Sequence, residues 1–291
     1  MKTTLTEVCP PLPLDELLAE IANFPSCSMT EKLHLVNRLV NLHPIVNFEW
    51  GPDGGFRRAR LLGANEDLPS NVDGLIWRKN SPAALGRANP EGVHVFYLAD
   101  RVETALSEVR ACSDIAVLSE FEILPATSVR LAPIGEFTKL QRTGYGFLSG
   151  RISTALSSIL NRCEPDAAKA LLITDAFLLD CLSGPEDAYN VSSSVAMSIF
   201  DKLPAISAIV YPSYRQRDAL CLAVRVSDFW SKWGISTVRC AHASHLSHGY
   251  YKLSETRRVT GITVRGMLQW DDRTSVEGSS ILLRRRCTPG S

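Results

Sequence analysis

The chain has 291 residues, 45% of them apolar, and its 31 Lys+Arg balance 31 Asp+Glu. This length makes one elaborated domain or two small ones with a sizeable core, so disulfides and structural metals are optional, and a formal net charge of zero excludes a polyanion scaffold held by bulk charge. The longest apolar stretch, Ala170 to Leu182, is cut by Asp175 and Asp180 and falls short of the roughly 20 apolar residues a bilayer demands.

The amino terminus carries Cys9 and a run of prolines where a secretory signal needs an apolar core, which predicts no Sec export and no membrane span. The eight cysteines form no CxxC pair, and several lie in apolar segments, as reduced thiols of a cytoplasmic protein would. Leu14 to Phe24 has helical apolar spacing, and Ser28 with Glu31 is a capping box opening a second helix to about Leu42. Asn47 to Gly55 is rich in turn residues and marks a boundary, after which Phe56 to Leu62 reads as a strand. Residues 63–92 read as loop, Val93 to Leu98 as a strand, Glu103 to Cys112 as a helix and Ile115 to Leu124 as a half-buried strand. Helices are expected at 150–162, 166–182 and 189–202, with strands at Ile206 to Pro212 and Ala219 to Val226. Past Phe229 the pattern weakens, leaving strands at 235–240 and 258–270 and a basic tail at Arg284 to Arg286. The order is mixed α+β.

No GxxxxGK[ST], GxSxG, HExxH or EF-hand loop occurs, which removes the starting residues of four common chemistries. Gly144 to Gly150 comes near a dinucleotide fingerprint, misses its third spacing and reads as a turn. His242, His245 and His248 could meet a metal only on a rigid helix, and the surrounding Ser and Gly predict a polar loop instead.

Three segments remain that make more sense together than apart. Arg58 and Arg60 alternate onto one side of a strand and so aim two guanidinium groups the same way. The stretch GRANPEGVHVFYLADRVETALSEV holds Arg87 and Asn89 in a loop, Tyr97 on a strand and Glu108 on the helix that follows. Tyr189 opens a further helix, and Ile209-Val-Tyr-Pro-Ser213 puts a hydroxyl at a strand end. Together these resemble the RES domain, in which a Gly-Arg-x-Asn loop precedes a strand with Tyr and a helix with Thr-Ala-Leu-x-Glu. Arg58 or Arg60 would supply that family's first-strand Arg, and Arg215-Gln-Arg217-Asp218 departs from its usual last turn.

The resemblance covers about residues 53–226, leaving 1–50 as a helical N-terminal extension and 227–291 as a C-terminal extension able to pack on the core. It implies an α+β fold with a mixed sheet core similar to ADP-ribosyltransferases. It also implies NAD as substrate, degraded by glycohydrolysis or phosphorolysis in the manner of a toxin that depletes cellular NAD and is restrained by a cognate antitoxin or immunity protein. The site would comprise Glu108, Arg87, Ser213 and Tyr97 as catalytic residues, with Arg58, Arg60, Asn89 and Tyr189 binding NAD. The chemistry agrees: a pyrophosphate asks for Arg forks, and loss of nicotinamide leaves an oxocarbenium-like centre that a carboxylate such as Glu108 can stabilise. No metal is needed, because the leaving group is already a cationic pyridinium. Two alternatives stand beside this: transfer of ADP-ribose to a protein or nucleic-acid acceptor, which Glu120 and Glu122 would favour if they lined the pocket, and a non-catalytic module that keeps the pocket as a partner surface. The extensions could carry an antitoxin contact or a homo-oligomer interface; neither membrane nor nucleic acid is expected as a partner.

Overall fold

The computed structural model of the chain describes residues 3–52, 54–147, 150–247, 249–271 and 279–281. In chain order it has Leu5–Val8 (α1), Leu14–Asn23 (α2), Met29–Leu42 (α3), Phe48–Trp50 (β1), Gly55–Leu61 (β2), Val95–Ala99 (β3), Val102–Glu108 (α4), Ser113–Ile123 (β4), Val129–Pro133 (β5) and Glu136–Thr143 (α5). Then follow Gly150–Leu160 (α6), Pro165–Ser183 (α7), Tyr189–Lys202 (α8), Ala208–Pro212 (β6), Leu220–Arg225 (β7), Phe229–Lys232 (α9), Trp233–Ser247 (β8), Tyr250–Ile262 (β9), Leu268–Trp270 (β10) and Ser279–Ile281 (β11). The fold is mixed α and β. No helix among the described residues is long and apolar enough to cross a membrane.

The chain divides into two compact units, the first made of Met1–Trp50, Pro82–Val95 and Val129–Tyr211. Its helices α2, α3, α7 and α8 pack on one another, and β5 pairs antiparallel with β1 and parallel with β6. Helix α3 starts where the capping box puts it: Ser28 Oγ accepts from Glu31 N–H, and Glu31 accepts from Ser28 N–H at 2.7 Å. Its Leu35, Val36, Leu39 and Val40 make one buried face. At its far end Lys202 Nζ donates to the carbonyls of Val40, Asn41 and His43, satisfying helix-end acceptors.

The segment β5–α5 is absent from the sequence expectation, and α5 shows why. Its start is Gly135 at φ +80°, and its first turn is capped from another helix: Asp175 Oδ2 accepts from Thr138 N–H at 2.7 Å and from Thr138 Oγ1 at 2.8 Å. Asp175 and His43 are both about 4% exposed, with His43 Nε2 3.3 Å from Asp175 Oδ1. Asp175→Ala therefore leaves buried donors without an acceptor, and the unfolding free energy should fall by about 2–4 kcal/mol in a denaturant titration.

The second unit comprises Gly51–Ser81, Phe96–Ser128 and Pro212–Ser291. Its strands run in the order β7-β3-β2-β4-β8-β9-β10, with β11 on the edge of β9. Phe96, Phe121, Phe229 and Trp233 are fully buried and meet edge to face or stacked, with Trp77 against Phe96 and Phe229. The region past Phe229 is the largest departure from expectation. Instead of short strands and a histidine loop, it is a long antiparallel hairpin, β8–β9, with β4 paired along its whole length to the Trp233–Ser244 part of β8. An extra residue on β8, Ser236, where its register with β4 shifts between Glu120 and Phe121, breaks the period-two alternation on β8, which hid the strand from pattern reading. Two smaller differences accompany it: the boundary segment Asn47 to Gly55 contains β1, and the strand expected over 258–270 is the end of β9, a turn and β10.

Candidate functional site

The sequence carries α4 to Glu108 and then stops it sharply. Arg110 adopts φ +58°, its N–H bonds to Ser107 O at 3.0 Å, and Ala111 N–H bonds to Leu106 O at 3.0 Å, which is a Schellman closure with Arg in place of the usual glycine. Glu108 is thus the last helical residue, held against drift. Its carboxylate accepts a hydrogen bond from Ser213 Oγ at 2.5 Å. Ser213 follows β6, ties its own N–H to Ala219 O at 2.8 Å, and its Oγ accepts from the N–H groups of Arg215 and Gln216 at 3.2 and 3.0 Å. With two backbone donors on its lone pairs, the Ser213 hydrogen has one good direction, toward Glu108. The Cys221 thiol sits close by, 3% exposed; burial pushes its pKa well above the ordinary thiol range, and the Glu108 carboxylate adds to that.

Strand β2 separates the arginines that the sequence left as alternatives. Arg60 donates to Gly74 O at 2.8 Å and forms an ion pair with Glu66. Arg57 is paired with Glu120. Arg58 donates to Tyr97 O at 3.2 Å and lies over the Phe96 ring at 5.2 Å, and among the described residues no carboxylate pairs with it. Burial, followed by the charge of Arg60, brings its pKa down to about 10, so it is charged at neutral pH and short of a counter-charge. Tyr97 is the half-buried member of an otherwise buried β3. Glu122 is exposed, and Glu120 is taken up by Arg57 with Thr237 Oγ1 3.4 Å from its second oxygen. Neither adds a carboxylate to the Glu108–Ser213 pair through any of these bonds.

In the first unit Arg87, 8% exposed, donates from Nη1 to the carbonyls of Leu182 at 2.8 Å and Gly184 at 2.7 Å, closing the C-terminal end of α7, and its guanidinium lies 5.4 Å from the centre of the Tyr189 ring. Asn89, 3% exposed, donates to Ala84 O and Pro90 O at 2.8 and 2.9 Å and so shapes its own loop. The structure thus brings Glu108 to Ser213, Arg58 to the Tyr97 backbone, and Arg87 to Tyr189. Arg87 has a structural duty the motif did not reveal. Arg87→Ala should lower stability by about 1–3 kcal/mol through orphaned carbonyls, so a drop in Tm is expected, and an unchanged Tm would contradict this capping role.

His242 and His245 lie three apart on a strand, hence on opposite faces; His242 stands near Ser113 and Ser244 hydroxyls, and His245 packs on the Tyr251 ring. His248, Cys287 and Arg284 to Arg286 lie outside the described residues. Among the described residues no group of three or more His, Cys, Asp or Glu is arranged to hold a metal ion.

A family model, the RES domain, matches residues 65–232. No curated protein matches the chain. Among solved structures it is similar to the M. tuberculosis MbcT–MbcA toxin–antitoxin complex, at 14% identity and TM-score 0.32, over 65% of this chain and 80% of that one.

Proposed function

The chain belongs to the RES domain family, and from that premise we propose that it cleaves the bond between nicotinamide and ribose in NAD. The observation that carries the proposal is the Glu108–Ser213 pair: a carboxylate fixed by a hydroxyl that two backbone N–H groups orient in turn. An acceptor-only group held this firmly suits a reaction whose transition state develops positive charge on a sugar ring.

In the proposed reaction the anomeric C–N bond breaks, and its electron pair moves onto the pyridinium nitrogen to give neutral nicotinamide. Glu108 stabilises the cationic ribosyl centre and orients the nucleophile. Water forms the new C–O bond and releases a proton to give ADP-ribose, or phosphate forms it to give ADP-ribose 1″-phosphate. Arg58 supplies the charge for the pyrophosphate. Tyr97 offers an aromatic face or a hydroxyl for the base or a sugar. A toxin role under a cognate antitoxin is part of the same proposal and rests on the family resemblance alone.

The purified chain incubated with NAD, with and without inorganic phosphate, tests this by mass spectrometry. Free nicotinamide with either ADP-ribose product supports the reading and names the nucleophile, whereas NAD left intact in both tubes overturns it.

A further inference from the structure

The hydroxyl of Ser213 is aimed by the N–H groups of Arg215 and Gln216, so the position of Glu108 depends on the shape of the turn that follows β6. That turn is tied back to α4. Ser107, the residue before Glu108, lies with Oγ 3.5 Å from Gln216 Oε1 and 3.3 Å from Tyr251 Oη. An amide oxygen only accepts, so Ser107 gives its single hydrogen to Gln216, and Tyr251 must donate to Ser107. Tyr251 is 2% exposed, and its core cluster includes Ala105, Leu106 and Ala111 from α4 and its closure. Burial raises its pKa above the ordinary tyrosine range, which keeps the donated proton in place. The turn of the same hairpin supplies a second contact: Gly249, at φ +78°, lies so close to Gln216 that a Cβ there would stand 2.9 Å from the amide.

We infer that the β8–β9 hairpin, which lies beyond residue 232 where the family match ends, is a positioning element for Glu108 and Ser213, acting through Tyr251 and Gln216. The inference rests on the reading of that pair as catalytic. The circuit is closed: Glu108 to Ser213, Ser213 to the Gln216 backbone, the Gln216 side chain to Ser107, and Ser107 back to Glu108 along the chain, with Tyr251 fixing the Ser107 rotamer. Loss of the Tyr251 hydroxyl frees Ser107 to rotate and loosens the turn without emptying the core.

Tyr251→Phe keeps the ring and removes only the hydroxyl. In a wild type that turns over NAD, kcat is expected to fall about three- to tenfold, one neutral hydrogen bond's worth, with KM unchanged. Ser107→Ala should behave alike, and Ser107→Thr, which keeps a hydroxyl, should restore most of the rate. An unchanged kcat, or a loss explained wholly by a raised KM, overturns the inference. Hydrogen exchange at the amides of Arg215 and Gln216 reads the same device without the reaction, and should quicken in Tyr251→Phe. If the wild type leaves NAD intact, the catalytic reading falls and exchange alone decides: faster exchange sustains the positioning role, and equal exchange ends it.

Discussion

Glu108→Gln is expected to lower NAD cleavage by about two to four orders of magnitude while Tm stays within a few degrees of the wild type. The amide has the shape of the carboxylate, and its oxygen can still accept from Ser213 Oγ, so the contact that holds the side chain survives. What disappears is the negative charge beside the ribosyl centre. Because that charge is useful only once positive charge has developed, the loss belongs in kcat rather than in KM. Ser213→Ala makes the informative comparison: it leaves the charge and removes its anchor, so its effect should be smaller, about tenfold. If the two variants ranked the other way, Glu108 would be a support for Ser213 instead of the reverse, and full turnover by Glu108→Gln would remove Glu108 from the chemistry.

The parts of this arrangement that could be read from the sequence are those encoded within a few residues of themselves. The capping box of α3, the alternation on β2 and the apolar run of β6 each state their own conformation. The order of Arg87, Asn89, Tyr97, Glu108 and Ser213 carried the family resemblance on the same footing. What escaped depends on partners distant in sequence. Helix α5 is short and capped by Asp175, 37 residues beyond the Thr138 it serves, so no local signal announces it. The hairpin β8–β9 has few apolar residues on β9, where Tyr251 and Leu253 are the buried ones, and a bulge that resets the period on β8. Tyr251 in particular had no motif to mark it: only the fold brings it to Ser107, 144 positions away. The choice between Arg58 and Arg60 was likewise beyond pattern, since both point one way, and it turns on Glu66 lying in a loop that returns to Arg60.

That difference predicts opposite changes in stability and binding for one substitution. Arg58→Met should raise Tm while weakening NAD affinity about ten- to hundredfold, the range of a charge-assisted bond to phosphate. The sign follows from the direction of its pKa. A base whose folded value is pushed down, here to about 10 by burial and by Arg60, has its charged form disfavoured by folding, so below that pH the folded state bears the cost and an apolar chain of similar length relieves it. Relief of about 1–2 kcal/mol corresponds to roughly 2–4 °C for each kcal/mol in a protein of this size. NAD brings the missing counter-charge, so it should stabilise the wild type in a thermal scan far more than it stabilises the variant. Arg60→Met is the control: with Glu66 and the Gly74 carbonyl as its partners, Arg60 should cost little affinity when removed, and Arg58, freed of a like charge, should hold its proton more tightly. An Arg58→Met variant that binds NAD as the wild type does would dismiss Arg58 from the site, and a larger loss in Arg60→Met would transfer the role to its neighbour.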